Sequence, residues 1–276
     1  MEANKMAYGA KSIVLPSGVE LTYCELGEEH EEVVLSGAFY FHTFMPVLEG
    51  LAKKYHVYGI VMRFDGKGTR LNEDGSIHWG LQWGQDIYEF AKAMQINRFH
   101  YVGKCHGTVP GWFMLKEHPD MMESFCSFYM VPHLCGQSSN LWFDTMKNEG
   151  PQALIAKALR KQESIPIKIR EMQTLGASAA STPAVEMYAA APEKMWSSVE
   201  ECRALMESAE TPICLMFGTE DILFHDYYES DLEAMKILKN SRTVILQGER
   251  HLMEIDCPER VVNEALFFIE DSRNRY

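Results

Sequence analysis

The feature that most constrains the chain is the pentad Gly103-Lys104-Cys105-His106-Gly107. An apolar run over residues 99–103 leads into it, and a stretch of helical composition, residues 107–118, leads away. A strand that passes directly into a helix must reverse within very few residues. The side chains two places before and after the apex then have to be tiny, so that strand and helix can close on each other, and both places hold glycine. Such a turn pushes the apical side chain, here Cys105, into the open. The N-terminus of the following helix favours an anion beside it. The pentad therefore predicts a strand–turn–helix unit that presents a thiol.

The rest of the chain repeats the alternation. Residues 19–24, 32–35, 57–62, 99–103, 125–131, 213–217 and 243–246 read as strands, and residues 44–54, 80–95, 107–118 and 258–271 as helices. Strands alternating with helices of this length imply an α/β fold with a mostly parallel sheet covered on both faces. One stretch breaks the rhythm. Residues 133–207 are rich in Ala, Met, Lys and Glu, carry helical spacing over 143–158 and 192–206, and show almost no strand signal. The expected organisation is a core domain in two parts, 1–132 and 208–276, with a helical cap insertion at 133–207. A chain of 276 residues, 46% hydrophobic, suits one large core with an insertion. Pro110, early in the helix after the pentad, is expected to weaken or kink its first turns.

Charge and cysteine usage exclude several function classes. A net charge of −13 argues against nucleic acid or an anionic membrane surface as partner, since both reward basic surfaces. No apolar run reaches the ~18 residues of a spanning helix, and residues 1–11 lack the apolar core of a signal peptide. Seven cysteines with no CxxC pair suggest neither a zinc site nor a disulfide framework, so a reducing, cytoplasmic location is the default expectation. The 17 methionines are expected to be mostly apolar filling.

The pentad resembles the G-x-nucleophile-x-G elbow of the α/β-hydrolase superfamily, with cysteine where most members have serine. The resemblance runs along nearly the whole chain. Ser36-Gly37-Ala38 sits where the family has its His-Gly oxyanion loop, and Gly66-Lys67-Gly68-Thr69 is similar to the turn after the next strand. Gly218-Thr219-Glu220-Asp221 resembles the late turn that carries the acid, and Gly248-Glu249-Arg250-His251 the final histidine loop. The order Cys105, Asp221, His251 is the family's order of nucleophile, acid and base. The resemblance implies an α/β-hydrolase fold with a helical cap. It implies that His251 takes the Cys105 proton or stands as an imidazolium beside the thiolate, and that Asp221 fixes the His251 tautomer. The backbone N–H of His106, with that of Ala38 or Phe39, would form the oxyanion hole.

Each assignment has a structural rival: Cys105 as a core thiol, Asp221 as a helix N-cap, and Glu220 or Asp226 as the acid. Residues 125–134 carry no carboxylate, which removes the other acid position known in the family. Tyr40, His42, Trp142, Phe143 and Met146 are candidate substrate contacts, with plain packing as the alternative. Two departures stand out. Ser36 replaces the usual histidine, and Arg63 and Asp65 carry charges in reversed order around Phe64, where a local ion pair is the expectation. Cysteine in the elbow resembles dienelactone hydrolases, while the cap is similar to lactonases and carbon–carbon hydrolases. The implied function is hydrolysis of an activated carbonyl (a lactone, an ester, or a β-dicarbonyl cleaved at carbon–carbon) in a small apolar or aromatic molecule, without metal or organic cofactor. Acyl transfer or non-hydrolytic elimination on the same scaffold, and a ligand-binding protein without turnover, are the alternatives. A homodimer is compatible with the sequence and not read from it.

Overall fold

The computed structural model describes residues 9–38, 41–63, 71–129, 131–132, 144–145, 148–166, 198–222 and 225–274. Eight strands form one sheet: β1 (Lys11–Val14), β2 (Glu20–Leu26), β3 (Val33–Ala38), β4 (His56–Val61), β5 (Phe99–Lys104), β6 (Met122–Phe128), β7 (Ile213–Gly218) and β8 (Ser241–Leu246). Their spatial order is β1-β2-β4-β3-β5-β6-β7-β8. The β1–β2 and β2–β4 pairs are antiparallel and all the others are parallel. Between them run α1 (Phe41–Leu51), α2 (Trp79–Ala93), α3 (Val109–Glu117), α4 (Pro151–Ala158), α5 (Val199–Ser208), α6 (His225–Ile237), α7 (Met253–Asp256) and α8 (Pro258–Asn274).

Why both sheet faces are covered is written into the strands. Successive side chains of a strand point to opposite faces, and here both members of each step are apolar. Val57, Val102, Cys126 and Met216 pack on one face with Leu48 of α1 and Val261 and Ile269 of α8. Their neighbours Tyr58, Tyr101, Phe125 and Leu215 pack on the other with Trp83 and Phe90 of α2 and Trp112 of α3. Full burial of a side chain of this size stabilises the fold by about 1.5–3 kcal/mol. The end helix of the expected insertion joins this layer, since Cys202 and Met206 of α5 lie in the second cluster beside Ile213 and Leu215. Among the described residues no helix is long and apolar enough to cross a membrane.

Three local expectations are corrected. The apolar run over 125–131 does not stay extended: β6 stops at Phe128, because Tyr129 takes a positive φ of 65° and turns the chain out of the sheet. The helix after the pentad begins at Val109, behind a single 3-10 turn over Cys105–Thr108. Pro110 therefore falls in the first helical turn, where its missing N–H has no partner to lose, and it does not kink the helix. Strand β1 was hidden by polarity, since it is a mostly exposed edge strand.

Strand order reverses around β3. The chain leaves β3 to reach β4 on one side and returns past it to β5 on the other. In open parallel sheets the crevice outside the carboxyl ends of strands at such a reversal is where ligands bind. Cys105 follows the last residue of β5, at that place.

Candidate active site

Cys105 holds a φ of 51°, a left-handed conformation that few non-glycine residues adopt. The turn tolerates it because its neighbours have no side chains. A Cβ on Gly103 would stand 2.3 Å from the Gly107 carbonyl oxygen, and one on Gly107 would stand 2.3 Å from the carbonyl oxygen of Gly37. The elbow thus touches both its own strand and the end of β3. The buried Tyr101 hydroxyl fastens the same contact, donating to the Gly107 carbonyl at 2.8 Å and accepting from the Gly37 N–H at 3.0 Å.

The structure brings the three sequence-designated residues together. His251 and Asp221 are almost wholly enclosed, with side-chain exposures of 2% and 4%, and His251 Nδ1 lies 2.6 Å from Asp221 Oδ2. The other side of the imidazole is within hydrogen-bonding reach of the Cys105 thiol. Two loops make this possible. The acid turn after β7 is bound to the histidine loop after β8, with Glu220 N–H donating to the Glu249 carbonyl at 3.0 Å and Gly248 N–H to Thr219 Oγ1 at 2.9 Å. Gly218 has to be glycine there, because a Cβ would meet the Glu249 carbonyl at 2.2 Å. The rival acid Glu220 is 53% exposed and faces Arg250 instead.

A second imidazole lies on the thiol. His106 Nδ1 is 3.3 Å from Cys105 Sγ, so two imidazoles act on the thiol. Burial by itself would raise the thiol pKa. The positive charges of His106 and then His251, with hydrogen bonds from both rings, outweigh burial and hold the thiol well below its ordinary range. For His251 burial opposes the charged form, but the Asp221 carboxylate outweighs it and the pKa rises. The Lys104 ammonium works against that rise and the Cys105 thiolate adds to it.

Several surrounding groups were not foreseen. Lys104 forms an enclosed ion pair with Glu254 of α7 at 2.8 Å. The second oxygen of Glu254 is buried with no hydrogen-bond partner among the described residues. Tyr129 packs its ring 4.9 Å from that of His251 and donates its hydroxyl to the Arg250 carbonyl, so the turn at the end of β6 supports the histidine loop. Asp231 of α6 is buried. Burial first, and the negative charge of Asp221 second, push its carboxyl well above the usual range. Arg63 forms a two-pronged pair with Asp86 of α2 at 2.8 and 3.0 Å, across a sequence gap that the expectation of a local partner did not span.

The expected cap reaches the site through α4. Arg250 donates to the carbonyls of Ala156 and Leu159, and Leu252 N–H to that of Ala158 at 3.0 Å. In return Arg160 and Lys161 donate their N–H groups to Asp256 at 2.7 Å each, and Arg160 Nε reaches Glu249 at 2.9 Å. Leu252 completes a small apolar cluster with Leu154, Ile155, Ala158 and Leu159.

Ala38 closes β3 beside the elbow. Phe39, Tyr40, Asp65, the 66–69 turn, Trp142, Phe143, Met146 and the side chains of His42 and Asp226 lie outside the described residues. Among the described residues no group of three or more His, Cys, Asp or Glu is arranged to hold a metal ion. A cleft of about 860 Å³ opens elsewhere, against Arg98, Met122 and Thr211 at the amino ends of the parallel strands. It lies at the opposite end of the sheet from Cys105.

Comparison with solved structures places this architecture. A serine hydrolase from the polyaromatic-hydrocarbon-degrading bacterium Cycloclasticus zankles is similar over 95% of this chain and 97% of its own, at TM-score 0.75 and 16% identity. A meta-cleavage product hydrolase from Pseudomonas fluorescens IP01 is similar over 95% and 98%, at TM-score 0.73 and 15% identity. An esterase from Rhodococcus sp. ECU1013 is similar over 95% and 98%, at TM-score 0.70 and 17% identity. No family model and no curated protein matches the sequence. The chain has the α/β-hydrolase fold, with its cysteine elbow, acid turn and histidine loop at the carboxyl edge of the sheet.

Proposed function

We propose that this protein is a hydrolase that opens an activated carbonyl in a small apolar or aromatic molecule, with Cys105 as nucleophile, His251 as its base and Asp221 as the group that orients His251. One observation carries the reading: the Cys105 thiol, on a strained turn, lies 3.3 Å from the His106 ring and has its pKa lowered by both imidazoles, of which His251 is bound to Asp221 at 2.6 Å. A core cysteine has no use for such an arrangement. The buried thiol of Cys24 moves the other way, with burial raising its pKa to about 11.

The chemistry follows from these parts. Sγ bonds to the carbonyl carbon and the carbonyl electrons move to oxygen. The backbone N–H groups of His106 and of Ala38 or Phe39 are the donors for that oxyanion, each worth about 3 kcal/mol in the transition state. Collapse breaks the bond to the leaving atom, which takes a proton from an imidazole, and leaves a thioester on Cys105. Water, giving a proton to an imidazole, then displaces the thiolate. In the simplest form of this sequence one ring, His251, handles every proton. The structural neighbours include, by name, an esterase and a meta-cleavage product hydrolase, which supports lactones, esters and β-dicarbonyls as the substrates to try.

The test begins with iodoacetamide alkylation of Cys105 across pH, located by mass spectrometry, in the wild type and in Cys105→Ser and His251→Ala. The expected result is an apparent pKa well below 8.5 that moves up on loss of His251. Turnover of members of a lactone, ester and β-diketone panel should be lost in Cys105→Ser. A thiol that titrates like free cysteine in every variant, or turnover that survives Cys105→Ser, overturns the reading.

A further inference from the structure

In a serine-type elbow the residue after the nucleophile contributes its backbone N–H, and its side chain has no part in proton transfer. Here that residue is His106, and its ring is 3.3 Å from Sγ. We propose that His106 is a second acid–base residue of this site, which protonates the leaving atom and then takes the proton of the attacking water, while His251 stays protonated as the fixed counter-charge of the thiolate. The proposal rests on Cys105 being the nucleophile, and it moves two proton transfers from His251 to His106.

Three observations favour the division. The first is reach. In the tetrahedral intermediate the leaving atom is bonded to the same carbon as Sγ and sits about 3 Å from it, so a ring already against Sγ lies within one hydrogen bond of that atom. The second is proton affinity. Asp221 binds His251 Nδ1 at 2.6 Å inside an enclosed pocket, and an imidazolium held by a carboxylate gives up its proton reluctantly. The third is access. His251 is buried, whereas His106 is half-buried and so nearer to solvent.

The inventory balances. The proposed cycle starts from a thiolate with a proton on each ring. Formation of the Sγ–C bond moves the negative charge from sulfur to the carbonyl oxygen. This weakens the hold on the His106 proton at the stage when the leaving atom needs it. Collapse breaks the bond to the leaving atom, which departs with the His106 proton, and His106 is left neutral beside the thioester. That ring then accepts a proton from water as the water oxygen bonds to the acyl carbon. Rupture of the C–S bond releases the acid and restores the thiolate with both rings protonated. The charged groups acting on Cys105 are His106 and His251, and those acting on His251 are Asp221, Lys104 and Cys105, with Glu254 paired to Lys104.

The discriminating experiment is leaving-group dependence. Acylation of Cys105 by 4-nitrophenyl, phenyl and trifluoroethyl butyrate is followed by mass spectrometry in single turnover, in the wild type, His106→Asn and His251→Asn. Rates are divided by the thiolate fraction from the alkylation titration of each variant. A nitrophenolate leaves without help and a trifluoroethoxide needs a proton. The expected result for His106→Asn is a near-normal rate with the nitrophenyl ester and a loss of about 100-fold or more with the trifluoroethyl ester. Asparagine keeps a polar group at the Nδ1 position, and the nitrophenyl rate doubles as the control for folding. Both substitutions should lower the thiolate fraction itself, because both rings hold the thiol down, and the division removes that effect from the rates. An equal loss for all three esters in His106→Asn, or no loss, overturns the His106 assignment and leaves the nucleophile reading standing. Absence of any Cys105 adduct in the wild type overturns both.

Discussion

The Tyr101 hydroxyl joins Gly37 to Gly107, accepting from one backbone N–H and donating to the other residue's carbonyl. It is the hydrogen-bonded seam between the end of β3 and the elbow, in a place where no water enters. Tyr101→Phe leaves both backbone groups buried and unpaired. A loss of about 1–3 kcal/mol of stability per unpaired group is expected, read from urea unfolding. Turnover should fall while the alkylation pKa of Cys105 stays where it is, because neither imidazole moves.

The pH dependence has a definite sign on each limb. The Cys105 pKa is lowered from its ordinary 9.0, so the thiolate persists as the pH falls below that value and is lost only as the pH drops through the depressed one. The His251 pKa is raised from its ordinary 6.5, so the imidazolium persists above that value and is lost as the pH rises through the elevated one. A plateau in kcat/KM wider than free cysteine and histidine would give is expected, its limbs belonging to the coupled pair. Asp221→Asn should pull the alkaline limb down and lower kcat by about 10³–10⁴-fold.

Removing one partner of the Lys104–Glu254 pair strands a charge in an enclosed place. Lys104→Met should cost about 3–5 kcal/mol in thermal or chemical unfolding. The double variant Lys104→Met with Glu254→Leu should recover most of that loss. Recovery of stability without recovery of the wild-type alkaline limb would show the ammonium acting on His251 as well as on the fold.

Gly103→Ala forces a methyl to within 2.3 Å of the Gly107 carbonyl oxygen, which is backbone and cannot swing aside. The expected cost is about 1–3 kcal/mol or more, with loss of Cys105 alkylation before loss of helical signal in circular dichroism. Gly75→Ala is the contrasting variant: its Cβ would meet open space, so any loss there reports the strain of its φ of 82° rather than a clash.

What was legible in the sequence is what leaves a local trace. The elbow shows because strand and helix can close only over glycines at 103 and 107. The histidine loop and the acid turn show because they follow strands β8 and β7 at short range. What was not legible depends on distant partners. Lys104 and Glu254 are 150 positions apart, and nothing near either residue announces the other. Asp231 reads as an exposed-helix acid until the fold places it behind Asp221. Tyr129 sits in an apolar run whose composition is that of a strand, and only the positive φ reveals that the run turns. His106 was legible as a residue and not as a ring on the thiol, because the sequence does not say which way a side chain leaves a strained turn.

The bonds between residues 156–161 and the His251 loop give this part of the expected insertion a structural duty. Carbonyls of Ala156, Ala158 and Leu159 and amides of Arg160 and Lys161 are bound to Arg250, Leu252 and Asp256, so this short stretch is a buttress of the histidine loop as much as a piece of the roof. A substitution or insertion here is felt at His251 before it is felt by any substrate.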